Sequence, residues 1–363
     1  MTVLRNKRIV VKIGSNVLTR GDGTLDVTRI SSLADQIAVL RHEGVQVIVV
    51  SSGAVASGRG ELGGHVDRLD PVSARQLFSA VGQIKLIDRY YNLFRDYGIA
   101  CGQVLTTKES LSTRRHYLNQ KNCMEAMLSN GVIPIVNEND TISVTELMFT
   151  DNDELSGMVS TMMSADALII LSNIDGIFTG NPSDPVSELI REIRPDGEDL
   201  SGYIQSSRSQ FGRGGMLTKS RIARQVAAEG IEVVIANGRV DGILPDVVNR
   251  RSGTLFTRFV PSEKPISGVK KWIAHSEGFA KGELHINRGA CDALAASDAR
   301  SLLPVGVDRV EGDFEKDDIV RIMAPDGRQI GVGRISTDSE RARRQIGQKG
   351  AKPLVHYDYL YLY

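Results

Sequence analysis

The 363 residues contain only three cysteines, Cys101, Cys123 and Cys291, and no two of them stand in a C-x-x-C spacing. That argues against a disulfide framework and against a zinc site, and leads us to expect a reducing, cytoplasmic setting. An excess of one charge is also lacking. Lys plus Arg and Asp plus Glu number 44 each, so no overall positive field marks a nucleic-acid or membrane-surface protein. No apolar run approaches the roughly 18 residues of a membrane span. The N-terminal MTVLRNKRIVVKIG runs straight into a strand pattern without the apolar core of a signal peptide, so no membrane association is expected. Aromatic residues are sparse at 5%, and no repeat or low-complexity segment occurs. What is present, 41% hydrophobic and 24% charged residues, suits an ordinary globular chain of two domains.

The most informative stretch is VIPIVNENDTISVTELMFTDNDELS, residues 132–156. Val132, Ile133, Ile135 and Val136 read as a buried strand that stops abruptly at Asn137, Glu138, Asn139 and Asp140. Residues just beyond the carboxyl ends of parallel strands line the ligand crevice of an open sheet, so a substrate is expected here. Asp151, Asn152 and Asp153 then precede a helix-like run from Leu155. Taken alone, both clusters are also compatible with turns and a helix cap.

The same event recurs along the chain. Arg8 to Ile13 is a strand carrying Lys12 near its end, followed by Gly14, which suits phosphate handling as well as an edge strand before a turn. Ile30, Leu33, Ile37 and Leu40 recur at helical spacing up to Gly44, and Val45 to Val50 is a second buried strand. Strand, helix and strand of this length form a βαβ unit and predict a parallel sheet. Ser51, Ser52, Gly53 and Ala54 leave the second strand directly. The nearby GRGELG at 58–63 matches G-x-G-x-x-G but begins too far past the strand to be a dinucleotide fingerprint. Val72 to Tyr97 is a long helix whose apolar face suits core or subunit contacts. Ala167 to Leu171 is a further strand ending at Ser172 and Asn173, and FGRGGMLTK at 211–219 opens a helix with glycines between two cationic residues, offering amides and charge to a polyphosphate. A linker is expected over residues 261–273. Beyond it, short β-like runs predict a small β-rich barrel over 274–363.

KIG at 12–14, SSGA at 51–54, NEND at 137–140, DND at 151–153, LSNIDGIFTGNP at 171–182 and GGMLTK at 214–219 stand in one order. This ordered set resembles the amino acid kinase family, and within it the enzymes that act on glutamate. The C-terminal part resembles the PUA domain that such enzymes often carry. The resemblance implies an α/β fold, a three-layer αβα sandwich with a mainly parallel central sheet over 1–260, joined to a PUA-like barrel. It implies ATP-dependent phosphorylation of the glutamate γ-carboxylate to glutamyl 5-phosphate, the first step of proline synthesis. Lys12 and Lys219 would flank the transferred group, with Asp153 holding both lysines. Ser52, Asp140 and Asn152 match the family's glutamate contacts, Asp140 being suited to the substrate ammonium. Lys12, Gly14, Ser172, Asn173, Arg213, Gly214, Gly215, Met216, Leu217, Thr218 and Lys219 match its ATP contacts. Asn173 replaces the family's usual Asp, and Arg213 its frequent Thr.

The chemistry agrees with this assignment. A carboxylate is already anionic at pH 7 and needs no general base, and none of the six histidines lies in these motifs. Mg²⁺ is expected to ride on ATP without a protein metal cage, since Asp151-x-Asp153 lacks the remainder of an EF-hand loop. The resemblance also implies proline as an inhibitor and a homo-oligomer. A glutamyl phosphate reductase sometimes fused to such enzymes is expected as a separate protein. Residues 274–363 hold 13 Lys plus Arg against 14 Asp plus Glu, a net charge of −1, so RNA binding is not expected of the PUA-like part. The rival reading is an RNA-binding protein with a degenerate kinase domain, against which Lys12, Asp153 and Lys219 stand.

Overall fold

The structure, a computed structural model, describes residues 8–63, 69–111, 114–143, 151–195, 215–263, 273, 280–296 and 300–363. The chain divides into two compact units, Met1–Ser110 with Tyr117–Pro265, and Leu111–His116 with Ile266–Tyr363. Up to Phe259 the described elements are β1 (Arg8–Ile13), α1 (Ser15–Leu18), α2 (Val27–His42), β2 (Gln46–Ser51), α3 (Ala54–Leu62), α4 (Pro71–Arg95), β3 (Cys101–Thr106), α5 (Arg114–Ser129), β4 (Ile133–Glu138), α6 (Asn152–Met162), β5 (Ala167–Ser172), β6 (Glu192–Ile193), α7 (Met216–Ala228), β7 (Glu232–Asn237), α8 (Ile243–Val248) and β8 (Phe256–Phe259). The strands form one sheet in the order β3-β4-β2-β1-β5-β7-β8-β6. Every pairing in it is parallel except β7 with β8.

Side chains alternate along a strand, and β1 shows what this does for the site. Ile9, Val11 and Ile13 face one way, joining Ile30, Leu33 and Ile37 of α2 and Tyr90 and Phe94 of α4 in a single apolar cluster. Val10 and Lys12 therefore face the other way, toward α6, which packs on β1, β5, β2 and β4. Helices cover both faces, as an αβα sandwich requires. A lysine placed on the α6 face near the carboxyl end of β1 is delivered to the first turn of that helix.

Local signals set the helix boundaries. The Asp26 carboxylate accepts from the Arg29 amide at the start of α2, and Asp70 accepts from Val72 and Ser73 before Pro71 opens α4. Helix α6 begins earlier than the Leu155 expected from sequence, because Asp151 is its N-cap and Asn152 and Asp153 its first helical residues. Helices α3 and α4 approach until backbones touch. A Cβ on Gly58 would collide with the Phe78 backbone, and one on Gly82 with the Ala54 carbonyl. The first glycine of the G-x-G-x-x-G string therefore serves helix packing.

The second unit contains β9 (Gly282–Ile286), α9 (Arg288–Ala295), β10 (Val307–Gly312), β11 (Ile319–Met323), β12 (Gln329–Ile335), α10 (Ser339–Gln345) and β13 (Val355–Leu362). Its strands form a five-stranded sheet in the order β10-β9-β11-β12-β13 over a core of Leu284, Ile286, Val320, Ile322, Ile335 and Val355. Of the strand-like runs expected here, 283–287, 318–323 and 328–334 fall on β9, β11 and β12. The run 302–307 is instead a bridge at Leu302 and a tight turn over Pro304–Gly306, with β10 starting only at Val307. Helix α9 and strand β13 were not expected, and Arg341, Arg343 and Arg344 lie on the short helix α10. Glu283, His285 and Glu311 place ligand-type atoms within 4.8 Å of one another on neighbouring strands. Two guanidiniums already pair with the carboxylates, Arg309 with Glu311 at 2.8 Å and Arg321 with Glu283 at 3.3 Å.

Candidate active site

Four strand ends and two helix starts converge at one edge of the large sheet. Lys12 comes from β1, Ser52 follows β2, Asn137 and Glu138 close β4, and Ser172 closes β5. Asn152 and Asp153 open α6, while Lys219 lies in the first turn of α7. The centre is Asp153, with no solvent exposure. Lys12 Nζ stands 2.6 Å from its Oδ1, and Lys219 Nζ donates to its Oδ2 at 2.9 Å. Burial alone would raise the Asp153 pKa, but the two ammoniums overcome that and hold it below the usual carboxylate range. Asp151 shows the reverse. Burial and the neighbouring Asp153 charge push its pKa up, against the pull of both lysines. Asp151 Oδ1 caps α6 by accepting from the Asp153 and Glu154 amides, and Oδ2 is buried with no partner among the described residues.

Beside this charge centre lies a chain of polar side chains. Asn152 Nδ2 donates to Ser52 Oγ at 3.0 Å, to Asn137 Oδ1 at 3.0 Å and to the Ser51 carbonyl at 3.3 Å. Ser52 is tied to β1 through its amide, which donates to the Ile13 carbonyl at 3.1 Å. Gly53 follows with φ of 106°, a left-handed turn that a side chain would strain, and starts α3. Asp140 is buried, and its carboxylate receives Arg75 Nη2 on one oxygen and Ser79 Oγ at 3.3 Å on the other. Sequence reasoning identified Asp140 but missed Arg75, which also reaches Glu138 at 3.4 Å.

Of the residues expected at the nucleotide, Ser172 is buried and Asn173 exposed at the end of β5. Gly14 caps α1 and Gly215 caps α7, neither helix having a side-chain cap, which leaves backbone amides for an anion. Met216, Leu217, Thr218 and Lys219 form the first turn of α7, and Leu217 is exposed. Arg213 and Gly214 lie outside the described residues. The donor set fits a nucleoside triphosphate, with two ammoniums and two uncapped helix starts presented to one region. Mg²⁺ fits as an ion carried by that nucleotide, because both Asp153 oxygens already face lysines and, among the described residues, the carboxylate oxygen left without a partner beside them is Asp151 Oδ2.

Residues 7–237 match the model of the amino acid kinase family, and residues 282–357 match the PUA domain. The chain is 67% identical over 356 residues to a glutamate 5-kinase of Bacteroides thetaiotaomicron, covering 98% of each chain. It is 50% identical over 360 residues to a glutamate 5-kinase of Chlorobaculum tepidum, covering 98% of this chain and 97% of the relative. Among solved structures, a carbamate kinase from Giardia lamblia bound to AMP-PNP superposes with a TM-score of 0.51 at 17% identity, covering 71% of this chain and 99% of that one, which is a likeness of fold. A buried carboxylate held between two lysines at the ends of a parallel sheet and a family match spanning that sheet lead to one conclusion: the chain belongs to the amino acid kinase family.

Proposed function

We propose that this protein transfers the γ-phosphoryl group of ATP to the γ-carboxylate of L-glutamate, forming L-glutamyl 5-phosphate for proline synthesis. The observation that carries the reading is the Lys12–Asp153–Lys219 centre beside Ser52 and Asn152, in a chain whose full-length relatives are named glutamate 5-kinase. A carboxylate acceptor is anionic at neutral pH, so the protein need not remove a proton from it. The work left to the site is alignment of acceptor and donor and neutralisation of charge on the transferring group and the departing ADP oxygen. Lys12 and Lys219 supply that neutralisation. Asp153 keeps both ammoniums in place before substrate arrives, so little reorganisation accompanies the transfer. Bound Mg²⁺ would add positive charge on the phosphates.

Ser52 and Asn152 are the acceptor contacts in this reading, and Asp140, oriented by Arg75 and Ser79, offers a carboxylate to the substrate ammonium. Ser172, Asn173 and the segment 213–219 serve the nucleotide. Feedback by proline at the acceptor site, self-association, a cytoplasmic setting and delivery of the labile product to a separate reductase complete the proposal. The catalytic part is taken as 1–260 and the PUA-like part, after a linker at 261–273, as a structural or regulatory domain over 274–363.

The test is ADP release with Mg-ATP and, separately, glutamate, N-acetylglutamate, aspartate and UMP, with hydroxylamine present to trap an acyl phosphate. Turnover and hydroxamate with glutamate are expected, reduced by added proline. Turnover with another acceptor alone would overturn the glutamate assignment while leaving the two-lysine centre intact.

A further inference from the structure

Helix α4 carries an oddity on its buried side. Ser79, Gly82, Gln83, Leu86 and Tyr90 form its buried stripe, and Gln83, only 8% exposed, is the long polar residue among them. Its Oε1 accepts from Asn137 Nδ2 at 2.9 Å, while its Nε2 is buried without any hydrogen-bond partner among the described residues. A buried donor left without an acceptor costs stability, and an apolar side chain of similar length would avoid the cost. The amide is therefore explained by what its oxygen holds.

What it holds is the first link of the chain that reaches the acceptor. The Glu138 backbone N–H donates to Asn137 Oδ1 at 2.9 Å, which establishes which end of the Asn137 amide is oxygen. Asn137 Nδ2 must then face α4, where it needs an acceptor, and Gln83 Oε1 is that acceptor. The same Asn137 Oδ1 also receives Asn152 Nδ2 at 3.0 Å. Asn152 thereby directs its amino group at Ser52 Oγ, at 3.0 Å, and its Oδ1 away from it. With one lone pair of Ser52 Oγ occupied by this donor, the hydroxyl proton is left to donate outward. The result is a hydroxyl donor and an amide acceptor side by side, the pair needed by a carboxylate and an ammonium of one amino acid.

We propose that Gln83 is a positioning residue for the amino-acid acceptor, holding Asn137 so that the Asn152 amide and the Ser52 hydroxyl present opposite hydrogen-bonding polarity to it. The inference rests on the glutamate reading given above. Gln83 touches neither the lysines nor Asp153, so its effect falls on acceptor binding and not on phosphoryl transfer.

The experiment compares steady-state kinetics of the full chain with those of Gln83→Met and Gln83→Glu. Gln83→Met removes the acceptor and the orphan donor together. Its glutamate KM should rise about tenfold, the ordinary worth of one hydrogen bond, with kcat and the ATP KM within about twofold. Gln83→Glu keeps an oxygen facing Asn137 Nδ2 and should bring the glutamate KM back to within about threefold of the wild type. A role in packing alone would lower the thermal midpoint of both variants and leave the glutamate KM where it was. A glutamate KM unchanged in Gln83→Met, or raised equally in Gln83→Glu, overturns the inference. If Gln83→Met fails to fold, Gln83→Leu replaces it under the same criteria. Wild-type protein that turns over no glutamate overturns the functional reading first, and that result is visible before any variant is made.

Discussion

Two charged clusters of similar make-up occupy the two units of this chain, and their difference lies in burial. Around Asp153, Lys12 and Lys219 the side-chain exposures are 0%, 5% and 12%, and the central carboxyl is held well below its usual range. Around Glu311 and Arg309 the exposures are 45% and 62%, with His285 and Glu283 beside them. In the first cluster, water cannot screen the charges, so each partner is needed to make the others tolerable. In the second, solvent competes for the Arg309–Glu311 pair, and such exposed pairs contribute little. Ion-pair counts would rank the second cluster above the first, whereas burial separates an electrostatic machine from a decorated sheet.

The largest expected effect that would sharpen this contrast is that of Asp153→Asn. It leaves two ammoniums without their shared counter-charge, and a stability loss of about 3–5 kcal/mol should accompany near-complete loss of turnover, read by denaturant unfolding and ADP release. The loss depends on pH. A carboxyl held below its usual pKa in the fold contributes stability above its unfolded pKa, and that contribution disappears as the pH falls through the folded value. The gap between wild type and Asp153→Asn should therefore narrow below about pH 4. Should it stay constant with pH, the buried charge is not the cause.

Lys219→Ala comes next. In the proposed reaction its charge acts on the transferring group, so kcat should fall by about 10²–10³ while the glutamate KM changes little. Equal losses in both would break the assignment. Asp140→Ala should instead raise the glutamate KM by about tenfold or more with a smaller change in kcat, since a charged contact is worth about 1.5–3 kcal/mol. An unchanged KM would move the ammonium contact elsewhere.

Asp151→Asn tests burial from the opposite side. Its carboxyl has a raised pKa, so its ionised form works against the fold at neutral pH, and asparagine can still cap α6. The variant should gain on the order of 1 kcal/mol near pH 8 and almost nothing near pH 3, because both folded and unfolded wild type are then largely protonated. Thermal midpoints at the two pH values check this. The smallest effect belongs to the exposed cluster, where Glu311→Gln should change stability by less than about 0.5 kcal/mol and leave kinetics unaltered. A loss above 2 kcal/mol there would break the comparison.

The residues legible in the sequence share one property, which is position at an element boundary. Lys12, Ser52, Asp140, Asn152, Asp153 and Lys219 all sit where an apolar run stops or a helix starts, and such junctions show in one dimension. Arg75 and Gln83 lie inside a continuous helix, 65 and 54 residues from the groups they hold, and nothing local marks a tertiary hydrogen bond. A signal existed for Gln83, because a polar residue stands on the buried stripe between Gly82 and Leu86 where an apolar one is expected. Strand β13 was missed because its exposed His356, Tyr357 and Asp358 blur the alternation of its buried face.

The contact of Gly58 and Gly82 carries a consequence for anyone redesigning the proposed acceptor pocket. Helix α3 begins at the Gly53 turn beside Ser52, and α4 carries both Arg75 and Gln83, so the spacing of the two helices that carry these groups is gauged by main chain resting on main chain. At Gly58 and Gly82 themselves the nearest neighbours are main-chain atoms of Phe78 and Ala54, so neither position has room for a side chain. A library aimed at longer or shorter acceptors would find this wall unyielding, and new selectivity would have to come from rewriting the polar groups that the joint holds in place.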